Sequence, residues 1–328
     1  MKTVKAVAPY IHPEQLNFKT APYKAWMKVG GEVAPAHYPP RLLHGFAFRY
    51  EIPRLTFFFN FQSSVFNLSR EVRLRFVEPL TLLFDSFPDY ATHEIIPFVW
   101  DCWPFLYERM YIFIDKYHVQ TMIFTSKETA NHFKEKYPNK NIMYCPEGID
   151  SSSYLPGEKL DKRTLDLLEF GRPLFKYVKM DTSQYEEMCS SIKYLKTSAF
   201  KKRLSDEELH QKLSDTKITI CYPHNITEPD WCGGVETLTQ RYWECMLSRT
   251  IIVGHAPQEL IDLIGYNPCI EVEFNGNKIA DKTMQILKQL NCYQSLVDKN
   301  YETARNVADW TYRMKDVRRF LSNCGYIL

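Results

Sequence analysis

Several things are scarce in this chain, and each shortage excludes a class of protein. The nine cysteines among 328 residues are odd in number and irregularly spaced, and no C-x-x-C pair occurs. That excludes a disulfide framework and a cysteine-based zinc site; it fits a reducing cytoplasm, where thiols such as Cys221 and Cys245 act as small apolar residues. No apolar run approaches 18 residues, so no segment is expected to span a bilayer, and the opening Met1-Lys2-Thr3-Val4-Lys5 lacks the apolar core of a signal peptide. An excess of one charge is missing too. The 41 basic and 39 acidic side chains leave a formal charge of +2, which argues against a general polyanion binder. Neither an internal repeat nor a low-complexity tract is present.

What is there is ordinary for a globular protein, with 45% hydrophobic and 24% charged residues. Aromatic content is high at 15%, which serves either thick cores or a site that stacks on sugar rings or bases. The length suits two domains of roughly 150 residues each.

Short apolar runs alternate with helical patterns, which predicts α/β architecture with parallel sheets covered by helices. Strands are expected at 55–61, 95–100, 119–124 and 141–145, with helices at 70–84, 104–116 and 127–137. Residues 9–45 contain six prolines and three glycines and are read as irregular loops. Pro, Gly and Ser crowd residues 146–157 and mark a linker. Beyond it come strands at 164–170, 192–196, 217–222, 250–253 and 269–273. Ser205 and Glu208 form a capping-box pattern at a helix start. Further helices are expected at 235–247, 258–263 and 278–312. The predicted domains are residues 1–155, residues 156–308, and a C-terminal helix, 309–328, packing back on the first domain.

The segment with most chemistry is Gly233-Gly234-Val235-Glu236-Thr237-Leu238-Thr239-Gln240-Arg241-Tyr242-Trp243-Glu244, continuing through Cys245-Met246-Leu247-Ser248-Arg249-Thr250-Ile251-Ile252-Val253. Two glutamates eight positions apart open and occupy one predicted helix between strands. A carboxylate can accept two hydroxyl hydrogen bonds at once, and vicinal ribose hydroxyls present such a pair. Unpaired amides at a helix start suit a diphosphate. Glu228 and Glu236 share the same spacing, so the choice of Glu236 with Glu244 rests on the stretch from Cys245 to Val253. There the chain resembles retaining GT-B glycosyltransferases with an E-x7-E motif, of the group 1 or family 4 type. The resemblance implies two Rossmann-like doubly wound domains facing a central cleft. It implies that Glu244 holds the ribose hydroxyls of a nucleotide-sugar donor and that Glu236 approaches the donor sugar and its diphosphate. The family has glycines directly after the first glutamate; here Thr237 and Thr239 stand in that loop and Gly233 and Gly234 precede it.

Gly171-Arg172 with Lys176, at the end of the first strand after the linker, resembles the family's diphosphate-binding cations. Such charges stabilise the leaving nucleotide as transfer proceeds. Thr121 through Ser126 and Cys145-Pro146-Glu147-Gly148-Ile149-Asp150 resemble the family's strand, Ser-capped helix and hinge. Residues from Arg203 to Pro223 are similar to its next helix and strand end, which would place 200–204 by the nucleobase. The matches keep the family's order from about residue 119 to 265, and the first 90 residues carry none.

At the end of the 95–100 strand, where related enzymes often carry a histidine, stands Trp100-Asp101. Asp101 is therefore the candidate acid–base residue, with a helix cap as the alternative, and Trp100 and Trp103 are candidate sugar-stacking residues for the acceptor. Between Arg41 and Arg75 there are six arginines and two acidic residues, a candidate contact for an anionic acceptor or for the inner face of a membrane; a solvated helix face is the alternative. The function the resemblance implies is transfer of a hexose or similar sugar from a nucleotide-sugar to a glycan or lipid-linked acceptor in the cytoplasm, as in polysaccharide biosynthesis. Configuration would be retained as the domains close and exclude water. No cofactor or metal is expected, since the cations replace it, and the chain has no Asp-x-Asp pair. Two other readings remain at this point: a GT-B-like protein that binds without catalysing, and a nucleic-acid binder, which the neutral charge balance disfavours.

Overall fold

The structure, a computed structural model, describes residues 2–9, 19–36, 70–200 and 204–328. It divides into two compact units, Met1–Pro146 with Trp310–Leu328, and Glu147–Asp309. The division falls at 146/147 and 309/310, where the sequence suggested 155/156 and 308/309.

The first unit is built on strands β1 (Thr3–Val7), β2 (Val33–Ala34), β3 (Glu71–Val77), β4 (Glu94–Val99), β5 (Thr121–Phe124) and β6 (Asn141–Tyr144). They pair in the order β2-β1-β3-β4-β5-β6, all parallel, with Val4 opposite Val72 and Phe76 opposite Phe98. Helices α1 (Thr20–Lys28), α2 (Leu82–Ser86), α3 (Asp89–Thr92), α4 (Tyr107–Lys116) and α5 (Lys127–Lys136) belong to this unit. One sheet face packs Val4, Val72, Leu74, Ile96, Phe98 and Ile123; the other packs Ile95, Val99, Met122 and Phe124. A parallel sheet covered on both faces needs such near-continuous apolar strands.

Two expectations are corrected here. Residues 70–84 are not one helix: Val72, Leu74 and Phe76 alternate with Arg73 and Arg75, the period of a strand, and they form β3 before the short helix α2. Arg75 is buried and ion-paired with Asp89, and Arg73 is paired with Glu71 at 2.8 Å, so neither is a surface contact for a membrane. Arg41, Arg49 and Arg54 lie outside the described residues, as does the strand expected at 55–61. Residues 9–45 are not wholly irregular either. Helix α1 forms because Pro22 stands in its first turn, where no amide is needed, while Trp26 is buried and donates to the Glu32 carbonyl at 2.8 Å.

The second unit carries β7 (Leu165–Glu169), β8 (Tyr194–Lys196), β9 (Thr216–Cys221), β10 (Ile251–Gly254) and β11 (Cys269–Glu271), parallel in the order β11-β10-β9-β7-β8. Its helices are α6 (Ser183–Ser191), α7 (Asp206–Ser214), α8 (His224–Thr227), α9 (Pro229–Cys232), α10 (Gln240–Leu247), α11 (Gln258–Ile264), α12 (Gly276–Leu287) and α13 (Gln294–Val307). Ser205 caps α7 in the expected box with Glu208.

The single helix expected at 278–312 is three: α12, α13 and α14 (Trp310–Asn323), the last in the first unit. The chain breaks before α14 because Ile149 donates its amide to the Ala308 carbonyl, and Ser151 donates its amide and hydroxyl to the Asp309 carboxylate. In the second sheet strand order reverses between β7 and β9. Crevices outside the carboxyl ends of strands at such a point are where ligands bind in open α/β sheets.

Candidate functional site

β7 delivers Gly171 and Arg172 to that reversal point, and β9 delivers Pro223 and His224. A third contribution comes from α10, whose first turn holds Arg241. Gly171 has left-handed backbone (φ +73°), and a Cβ built there would stand 3.2 Å from Arg241 Nη2. The missing side chain is what lets the guanidinium approach. Arg241 is only 9% exposed, with its guanidinium 6.0 Å from the Phe170 ring centre. His224 reports the combined potential: burial, then Arg172, then Arg241 push its pKa down to about 2. It is therefore neutral, and its 3.7 Å approach to Glu228 is no ion pair.

Lys176 is exposed, with its ammonium 4.9 Å from the Tyr177 ring centre. Its pKa is raised by Tyr177 and, more weakly, by Glu228, which ties it to the same neighbourhood. Glu244 lies one helical turn beyond Arg241 on the same side of α10. It is half-buried and its Oε1 accepts a hydrogen bond from the Tyr154 hydroxyl at 3.1 Å. Burial and the Glu244 charge raise the Tyr154 pKa, so that hydroxyl stays a donor.

Glu236 is in the loop between α9 and α10 and not inside a helix; α10 begins at Gln240, five residues later than the sequence suggested. Oε1 of Glu236 accepts from the Gln258 amide at 2.6 Å, and Oε2 meets His255 Nε2 at 3.2 Å. His255, just beyond β10, meets Glu271 Oε2 through Nδ1 at 2.9 Å. Held between two carboxylates, with the Glu236 bond the largest effect, His255 is raised to about 9. Burial would raise Glu236, but His255 and the Gln258 amide outweigh it and lower its pKa. Both shifts favour the ionised pair. Gly234 (φ +86°) is exposed in the same loop, Thr237 is buried, and Thr239 stands at the N-cap of α10 without using its side chain as a cap. The Gln240 amide there is taken by Glu147 at 3.0 Å.

In the first unit Asp101 follows β4, is exposed, and has left-handed backbone (φ +47°). The next helical turn, Pro104–Leu106, has Trp103 at its cap position and no side-chain cap bond, so Asp101 does not cap it. Trp100 and Trp103 are corrected: both are buried, and Trp100 stacks on Phe98 at 4.5 Å with Trp310 edge-on at 5.9 Å. They are core residues and offer no face to a sugar. Phe200 is exposed, and residues 201–203 of the expected nucleobase segment lie outside the described residues.

Comparison with solved structures identifies the architecture. HepE of Anabaena, crystallised with UDP and glucose, aligns over 98% of this chain and 100% of its own at 9% identity and TM-score 0.58. Sucrose-phosphate synthase of Thermosynechococcus elongatus aligns over 99% of both chains at 10% identity and TM-score 0.60. The chain has the GT-B fold. A third GT-B structure, the alpha,alpha-trehalose 6-phosphate synthase of Burkholderia multivorans, covers 99% of this chain and 97% of its own at 10% identity and TM-score 0.54. No family model matches the sequence, and no curated protein matches it.

Within this GT-B chain, sequence reasoning missed Arg241, His224, His255 and Tyr154. Arg241 carried no signal, because a helix expected from 235 puts it mid-helix, whereas the helix starts at Gln240 and holds it in the first turn. His224 and His255 follow the ends of β9 and β10 and are brought to their places by strand order, and Tyr154 lies in the segment expected to be a linker; no local pattern shows either placement. No described helix is long and apolar enough to cross a membrane.

Proposed function

We propose that the chain is a glycosyltransferase whose second unit binds a nucleotide-sugar and whose first unit binds a glycan or lipid-linked acceptor. The observation that carries this is the convergence of Arg172, Arg241 and His224 at the strand-order reversal, one helical turn from the carboxylate of Glu244. A cluster of cations near a hydroxyl-accepting carboxylate has the chemistry of a nucleoside diphosphate site, and a structure of the similar HepE holds UDP-glucose.

In this reading Arg172 and Lys176 take the charge that grows on the leaving diphosphate. Glu244 accepts the ribose hydroxyls, and Glu236, kept ionised by His255, orients the donor sugar. Gly234, Thr237 and Thr239 line the phosphate side of the loop. Asp101 orients the acceptor hydroxyl and takes its proton. Transfer retains configuration, moves a hexose, and needs no metal because guanidinium and ammonium groups carry the countercharge.

The test is a thermal-shift panel of UDP, GDP, ADP, CMP and their sugar conjugates on the parent chain and on Glu244→Ala. At least one nucleotide-sugar should raise the melting temperature of the parent, since a ligand that binds only the folded state stabilises it. Glu244→Ala should lose most of that shift. A panel with no shift on the parent sinks the reading.

A further inference from the structure

An arginine that is nine-tenths buried as a residue, in the first turn of a helix, is an expensive arrangement. The helix dipole opposes it, and burial removes water that would solvate it. Such a group is normally paired, yet among the described residues no carboxylate lies within 4 Å of Arg241 and no hydrogen bond to its guanidinium is formed. Its close neighbours are an aromatic ring and the bare α-carbon of Gly171, and together with Arg172 it acts electrostatically on His224. Arg172 is a second guanidinium, and His224 is an imidazole kept neutral by its burial first and by the two guanidiniums after it. The amide at this helix start is already served by Glu147, so the dipole itself is not what remains uncompensated. What remains is the positive charge of Arg241, which acts also on the neutral imidazole of His224.

We propose that Arg241 is the specificity-determining contact for the second phosphate of a nucleoside diphosphate, closing a cradle with Arg172 and His224. This rests on the donor reading above and adds a residue that the E-x7-E resemblance does not supply. A planar guanidinium grips two phosphate oxygens at once, which a monophosphate's nearer group does not reach from the same nucleoside position. Gly171 is part of the device, because a side chain at that left-handed position would displace the fork. His224 completes it as a neutral partner that offers a hydrogen bond without bringing a third positive charge.

The experiment measures binding of UDP, GDP and ADP and of the matched monophosphates by calorimetry, on the parent chain and on Arg241→Met. Thermal melts confirm that the variant is folded. The parent should prefer one diphosphate over its monophosphate by about 10- to 100-fold, the range of a charge-assisted bidentate contact. Arg241→Met should erase that preference while monophosphate affinity stays within about threefold. Equal weakening of both ligands, or an unchanged preference, overturns the role of Arg241 and leaves the donor reading standing. A parent that binds monophosphates and diphosphates equally also overturns it. A parent that binds no nucleotide removes the donor reading, and this inference falls with it. Should Arg241→Met not fold, Arg241→Lys decides: it keeps the charge and loses the fork, so the preference should drop at least several-fold, and an unchanged preference overturns the proposal.

Discussion

His255 stands between Glu236 and Glu271, and its pKa of about 9 lies above the ordinary 6.5. A group raised on folding stabilises fully below its ordinary pKa and loses that contribution as pH rises through the folded value. Glu236 is lowered, so its share is present above the ordinary carboxylate range and vanishes in acid. The pair is therefore intact across neutral pH, with His255 failing on the alkaline side. Thermal melts should show stability declining between about pH 7 and 9.5, and His255→Gln should flatten that decline; the effect is modest because the imidazole is partly exposed. An identical alkaline slope in the variant would mean that other groups set it. Asp101 offers a second test. Asparagine tolerates left-handed backbone as well as aspartate does, and the N-cap position of the Pro104–Leu106 turn is Trp103 and not Asp101. Asp101→Asn should melt within about 2 °C of the parent while sugar transfer falls by roughly 10²- to 10⁴-fold. Full transfer activity would remove Asp101 from the chemistry.

Gly254 closes β10 at φ +141°, and a Cβ there would stand 2.0 Å from the carbonyl oxygen of Cys221 on β9. Gly254→Ala should therefore cost at least about 3 kcal/mol, seen as a lower urea midpoint for the second unit. An unchanged midpoint would show that the two strands do not approach so closely. Elements that depend on local signals were legible in the sequence. The run from β5 through α5 to β6 is one, since Ser126 caps α5 by accepting from the Thr129 amide at 3.3 Å. β3 has the alternation of a strand in its own residues, and only the burial of Arg75 depends on Asp89, a partner beyond the segment itself. The long C-terminal helix was misread because its second break is set by Ile149 and Ser151. The site divides in the same way. Arg172 was visible as a residue just past a strand, and Glu244 through the apolar pattern behind it. Arg241 and His224 acquire meaning only when β9 is laid beside β7, and that is a property of topology.

The first unit is assembled from both ends of the chain. Its last helix, α14, packs on α1 and sends Trp310 into the same core as Phe98 and Trp100. Trp310→Ala should destabilise that unit by about 3–5 kcal/mol and leave the second nearly unchanged. Hydrogen exchange resolved along the chain would show faster exchange in β3 and β4 and little change in β9 and β10. Uniform acceleration through both units would mean that they unfold as one. The second unit, by contrast, starts and finishes at a single spot, where the Ile149 amide meets the Ala308 carbonyl at 2.9 Å. Neighbouring ends make residues 147–309 a cassette. One exchange of gene segments could replace it with another and keep the terminal helix seated in its own core. Whatever the second unit binds could then change without disturbing the packing of the first.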